Sequence, residues 1–178
     1  MSRFNVPVAD QVAPEAQVTF ENLKKSIGKV PNLYATIGYS ANALNSYLAF
    51  VQAQAKGTVR AKDREAVYLI VSQLNGCEYC LASHTQSAIR NGWTEEQTLL
   101  LRSGKFEEGH WPVLYKLIQS VIENKGEVED KILDEYFAAG YTEKNLMDLM
   151  TLINVMSYTN YMYRLIKVPV DFPLAKTI

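Results

Sequence analysis

Cysteine and histidine are scarce in this 178-residue chain, with two of each. So few thiols exclude a disulfide-stapled scaffold, and with no second cysteine pair a four-cysteine metal centre cannot form. Also missing is any uncharged apolar run near the ~18 residues of a membrane span, so none is expected. The N-terminus, MSRFNVPVADQ, lacks the apolar stretch of a secretory leader. A cytoplasmic location is the expectation, and a purely structural disulfide is not expected there. Lys and Arg number 18 against 19 Asp and Glu, and no basic run exceeds two, so no nucleic-acid footprint is expected. Strand patterns, low-complexity segments and interdomain linkers are absent too. One domain over residues 1–178 is expected, with 1–13 as an N-terminal arm.

What is present is helix, at 48% apolar and 21% charged residues. Pro14 suits the first turn of a helix to Ile27, with Gly28 closing it. A short helix fits Asn32 to Ile37. Ser40 reads as the N-cap of the next, and Gly57-Thr58 as its end. The segment from Ala61 to Asn75 opens with charges, then turns wholly apolar from Ala66 to Leu74, a pattern of burial on most sides. Gly76 ends it, and the cysteine helix runs to Arg90. Thr94 and Gln97 form a capping box for a short helix to Leu101. Two more amphipathic helices fit Trp111 to Asn124 and Glu129 to Ala139. Thr142 caps the last, which ends near Ile166. The all-α class follows, and hairpins 61–90 and 128–166 have similar sizes.

Chemistry concentrates in Glu65 to His84, EAVYLIVSQLNGCEYCLASH. Cys77, Cys80, Leu81, His84 and Ala88 recur at one-stripe spacing on a helix. A thiol at a helix N-terminus is acidified by the dipole and the free N–H groups. Glu65 lies eleven residues before Gly76 and His84 eight after it, roughly 16 Å and 12 Å from the turn at ~1.5 Å per residue. In an antiparallel pair, carboxylate, imidazole and thiols therefore converge. His84 stands one helical turn beyond Cys80, within reach as a general base, and Glu65 would orient it. Zinc is the rival reading, with Cys77, Cys80 and His84 as ligands and Glu65 or His110 as a fourth, although three ligands on two turns of one helix strain a tetrahedron. His110 otherwise reads as a loop or capping residue, and the tail tyrosines Tyr158, Tyr161 and Tyr163 as packing or subunit interface.

The pattern Glu-x11-Cys-x-x-Cys-x3-His resembles the signature of the AhpD-like alkylhydroperoxidases, within the carboxymuconolactone decarboxylase superfamily. Glu65, Cys77, Cys80 and His84 fill its four positions. Val30-Pro31-Asn32-Leu33 and Asn160-Tyr161-Met162-Tyr163-Arg164 resemble the peroxidase-related branch. The resemblance implies an AhpD-like helical bundle with the cysteines at the N-terminus of a central helix, and 61–90 as the catalytic hairpin. It implies a thiol-dependent hydroperoxide reductase, with Cys80 attacking the peroxide, Cys77 resolving, and Glu65 and His84 relaying the proton. An external lipoyl- or thioredoxin-type dithiol would reduce the enzyme, with no resident cofactor or metal. A homo-oligomer, trimer or hexamer, is implied as well, and the all-round apolar segment 66–74 is read as surplus surface for it. Tyr79 departs from the pattern, standing where the best-known member has a histidine. It is expected exposed or at the mouth of the site, its phenol able to donate to a substrate oxygen. Three alternatives remain: a protein disulfide reductase or thiol carrier, a carboxymuconolactone decarboxylase-like lyase, and a zinc-binding interaction protein.

Overall fold

The structure, a computed structural model, describes residues 4–178; the first three residues of the expected arm lie outside it. Among the described residues there is helix and no strand. The helices are α1 (Pro14–Ile27), α2 (Asn32–Ile37), α3 (Ala41–Ala53), α4 (Ala61–Leu74), α5 (Glu78–Arg90), α6 (Glu95–Ser103), α7 (Trp111–Glu123), α8 (Asp130–Ala138) and α9 (Glu143–Ile166). Local signals set most of these bounds. Pro14 opens α1 and Gly28, at φ 82°, closes it. Thr94 and Gln97 exchange both bonds of a capping box, and Ser40 and Thr142 cap α3 and α9 through their hydroxyls.

Helix α4 is the axis of the bundle, packed on α5, α6, α7 and α9. Residues Ala66 to Ser72 are all buried. Val67, Tyr68, Ile70 and Val71 enter the main core, while Ala66 and Leu69 face a second cluster with Leu81, Ala88, Trp93, Leu101 and Phe106. A helix clothed on both sides must be apolar all round. The apolar girdle expected to be oligomer surface is therefore consumed inside the protomer, and that reason for an assembly is withdrawn.

The reversal between α4 and α5 places the cysteines. Gly76 adopts φ 63°, its N–H bonds the Gln73 carbonyl at 3.1 Å, and the Cys77 N–H bonds the Ser72 carbonyl at 2.9 Å. These are the two bonds of a Schellman ending, which needs a left-handed residue at this point. The long α9 clamps the turn from behind. Arg164 donates to the Asn75 carbonyl, Asn75 donates to Asn160 at 3.0 Å, and fully buried Asn160 donates to Ser72 at 3.2 Å. A β-carbon on Gly76 would meet the Arg164 guanidinium at 2.9 Å.

Candidate active site

Cys77 is the N-cap of α5 and Cys80 its third residue. The two are joined as a disulfide, with Cα atoms 5.3 Å apart. The Cys77 sulfur also accepts the Cys80 N–H at 3.2 Å, satisfying one of the donors that a helix start leaves free. Both are nearly sealed, at 0% and 3% exposure. Cys80, but not Cys77, lines a cavity of about 430 Å³.

His84 lines the same cavity one turn along α5. Its Nδ1 lies 2.8 Å from Glu65 Oε2, both side chains partly buried. The depth estimated by counting residues on either side of Gly76 is the depth observed. A carboxylate accepting from Nδ1 fixes the tautomer and leaves Nε2 with its lone pair, the form able to take a proton. Tyr68 braces the ring edge-to-face at 5.0 Å. Nearby, the Tyr34 ring meets that of Tyr47 edge-to-face at 5.7 Å. Burial pushes the phenols of Tyr34, Tyr47 and Tyr68 up, so all three remain neutral at physiological pH.

Tyr79 corrects one expectation. It is 3% exposed, not at the surface, and its hydroxyl is committed. It donates to Asp171 Oδ1 at 2.6 Å and accepts the Leu33 N–H at 3.2 Å. Burial and the Asp171 carboxylate raise its pKa. Tyr79 lines the cavity, but a bond from its phenol to a substrate would have to displace Asp171. Sequence reasoning passed over Asp171 altogether. Besides Tyr79, it pairs with Lys29 at 2.9 Å, and the Lys29 ammonium lies 3.7 Å from the centre of the Phe172 ring. Lys29, Phe172 and Pro173 line the cavity, so the chain after α9 forms part of its rim. Asp-Phe-Pro in a C-terminal coil carries no signal by itself.

The other sites are not brought together. His110 stands at the N-cap position of α7, its ring against Tyr141 at 5.5 Å, in a separate cavity sharing no wall residue with that of Cys80. It is not available as a fourth ligand beside the cysteines. Among the described residues, no group of three or more His, Cys, Asp and Glu side chains is placed to hold a metal. In the tail, Tyr158 stacks on Tyr47 at 5.2 Å, Tyr163 approaches Glu78, and Tyr161 is exposed. Among the described residues, no helix is long and apolar enough to cross a membrane.

Comparison with known proteins adds to this geometry. Residues 41–112, which carry Glu65, both cysteines and His84, match the carboxymuconolactone decarboxylase family. No match was found among curated proteins. Similar solved structures include a peroxidase-related protein from Silicibacter sp. TM1040, at 19% identity and a TM-score of 0.81 over 94% of this chain and 91% of the other. A second, from Ralstonia eutropha JMP134 and described as an alkylhydroperoxidase AhpD core, has 16% identity and a TM-score of 0.84 over 96% and 92%. The debrominase Bmp8, in complex with 2,3,4-tribromopyrrole, is alike at 14% identity and a TM-score of 0.79 over 96% and 94%. Residues 41–112 thus match the carboxymuconolactone decarboxylase family across the site, and the chain has an AhpD-like fold along nearly its whole length.

Proposed function

We propose that the protein is a thiol-dependent hydroperoxide reductase. The observation that carries the reading is the Glu65–His84 pair at 2.8 Å, with His84 and Cys80 lining one cavity. In the reduced protein, His84 takes the Cys80 proton and Glu65 stabilises the imidazolium that results. The Cys80 thiolate attacks the distal peroxide oxygen. An S–O bond forms, the O–O bond breaks, and the alkoxide leaves as an alcohol with the proton from His84. Cys77 then displaces hydroxide from the Cys80 sulfenic acid, which leaves as water, and the disulfide closes. An external dithiol of lipoyl or thioredoxin type returns both thiols by exchange and is itself oxidised. A cytoplasmic setting and a homo-oligomer, trimer or hexamer, belong to the same reading.

Burial favours this over a protein disulfide reductase. At 0% and 3% exposure, the sulfurs suit a small peroxide that enters the cavity in the resting state, while a protein partner, a thioredoxin-type reductant included, meets them only once the cavity opens. The ring walls of Tyr34, Tyr47, Tyr79 and Phe172 also suit an aromatic substrate, so 2,3,4-tribromopyrrole belongs in the same assay on the fold likeness to Bmp8. The test is consumption of an organic hydroperoxide with dithiothreitol or dihydrolipoamide, wild type against Cys80→Ser. Turnover by the wild type and none by the variant is expected; equal rates would end the proposal.

A further inference from the structure

The cysteine cavity is not the larger one. A second cavity of about 520 Å³ lies on the far side of the bundle, between the starts of α4, α7 and α9. Its size is that of a small-molecule site. The walls are rings held against one another. Trp93 meets Phe106 and Trp111 edge-to-face at 5.5 and 5.6 Å, at 83° and 77°. Tyr136 lies parallel to Tyr141, centroids 4.4 Å apart, and His110 abuts Tyr141. The Trp93 indole N–H is anchored on the Lys62 carbonyl at 2.9 Å, fixing that wall.

Two observations point to an occupant. Tyr136 lines the cavity at 1% exposure, and none of the hydrogen bonds among the described residues involves its hydroxyl. A phenol so nearly enclosed normally finds a partner. The lining charges, Arg60 and Lys62 against Asp63 and Glu108, cancel and so select no net charge. The Lys62 ammonium is moreover engaged over the Trp93 ring at 4.4 Å. Selection is left to the rings and to one unpaired donor. We propose that this cavity binds a small neutral aromatic molecule carrying an acceptor oxygen, such as a carbonyl, with the ring against the Trp and Tyr faces and the oxygen at the Tyr136 hydroxyl.

The chain has two tryptophans, and Trp93 and Trp111 are both in this wall. Intrinsic tryptophan emission therefore reports this cavity and not that of Cys80. The experiment titrates the intact protein with acetophenone and with ethylbenzene, a near-isostere lacking the oxygen. Saturable changes in emission are expected for both. Tyr136→Phe should weaken acetophenone by about fivefold, the worth of one hydrogen bond, and leave ethylbenzene unchanged. If Tyr136→Phe does not fold, the wild type carries the test: acetophenone should bind about fivefold more tightly than ethylbenzene, and equal affinities would overturn the site. Wild-type emission insensitive to both probes would overturn the proposal. So would an equal loss for both probes in the variant. Emission that changes on dilution while neither probe binds would mean that a second copy of the chain fills the cavity, and would overturn it too.

Discussion

The two cavities differ in how their polar groups are spent. Around Cys80 the titratable groups are paired: Glu65 with His84, and Tyr79 and Lys29 with Asp171. Around Trp93 the rings pack on rings, and the charges stand at the edge. The two proposals accordingly put binding in the larger cavity and proton movement in the smaller. On that reading volume alone chooses the wrong one for chemistry, and pairing of groups whose protonation matters is the better guide. Helix α4 serves the two residue by residue: Asp63 and Val67 line the larger cavity, while Glu65 and Tyr68 contact His84, which lines the other.

The sharpest way to break this contrast is chemical. Cys80→Ser should reduce peroxide turnover to the uncatalysed background while leaving the tryptophan-reported cavity untouched. Turnover and intrinsic emission, measured on the same sample, check both halves. Removing the base comes next. His84→Ala should slow turnover by about 100-fold, in the range of a positioned general base. Alkylation of reduced Cys80 by iodoacetamide should slow near pH 7 by up to roughly 30-fold, because a thiol of ordinary pKa ~8.5 is only a few per cent ionised there. The deficit should vanish above about pH 9, where the thiol ionises unaided. Glu65→Gln should act in the same direction more weakly, since it removes the partner of the imidazolium and keeps the base. A pH profile identical to wild type in His84→Ala would remove the imidazole from the mechanism.

Effects on the packing around the site are smaller and are read as stability. Leu69→Ala empties a fully buried position of α4 and should cost about 2–5 kcal/mol, measured by denaturant unfolding. Gly76→Ala places a β-carbon at φ 63° and against Arg164, and a loss of about 1–2 kcal/mol is expected from the left-handed conformation alone. Tyr79→Phe should change the alkaline limb of the stability curve. The folded pKa of Tyr79 is raised, so the folded state holds its proton where the unfolded state releases it, and stability falls as pH climbs past about 10. The variant should lose stability near neutrality, where the bond to Asp171 is intact, and fall less steeply above that pH.

These contrasts also mark what was legible in the sequence. Short-range chemistry was. Pro14, Gly28, Ser40 and the Thr94–Gln97 box set helix ends within a few residues, because caps act within one turn. The meeting of Glu65 and His84 followed from counting along two helices joined by a tight turn. Asn160 and Arg164 were visible as part of a motif, but their role at the Asn75–Gly76 turn needed the packing of α9. Long-range commitments were hidden. Tyr79 looked free because its partners, Leu33 and Asp171, are 46 and 92 residues away. The apolar girdle of α4 looked like surface for another subunit because periodicity cannot say which neighbour does the covering. The aromatic cavity draws its rings from Trp93 to Tyr141, and no local pattern unites them.

The central proposal, that Cys80 is the attacking thiol, is tested most directly by trapping its oxidised form. Reduced Cys77→Ser protein is treated with one equivalent of cumene hydroperoxide in the presence of dimedone, and the adduct is located by mass spectrometry. An adduct on Cys80, and none on Cys77 when Cys80→Ser is treated in the same way, is the predicted result. An adduct on Cys77 in Cys80→Ser, with Cys80 unmodified in the partner experiment, would reverse the roles and contradict the proposal.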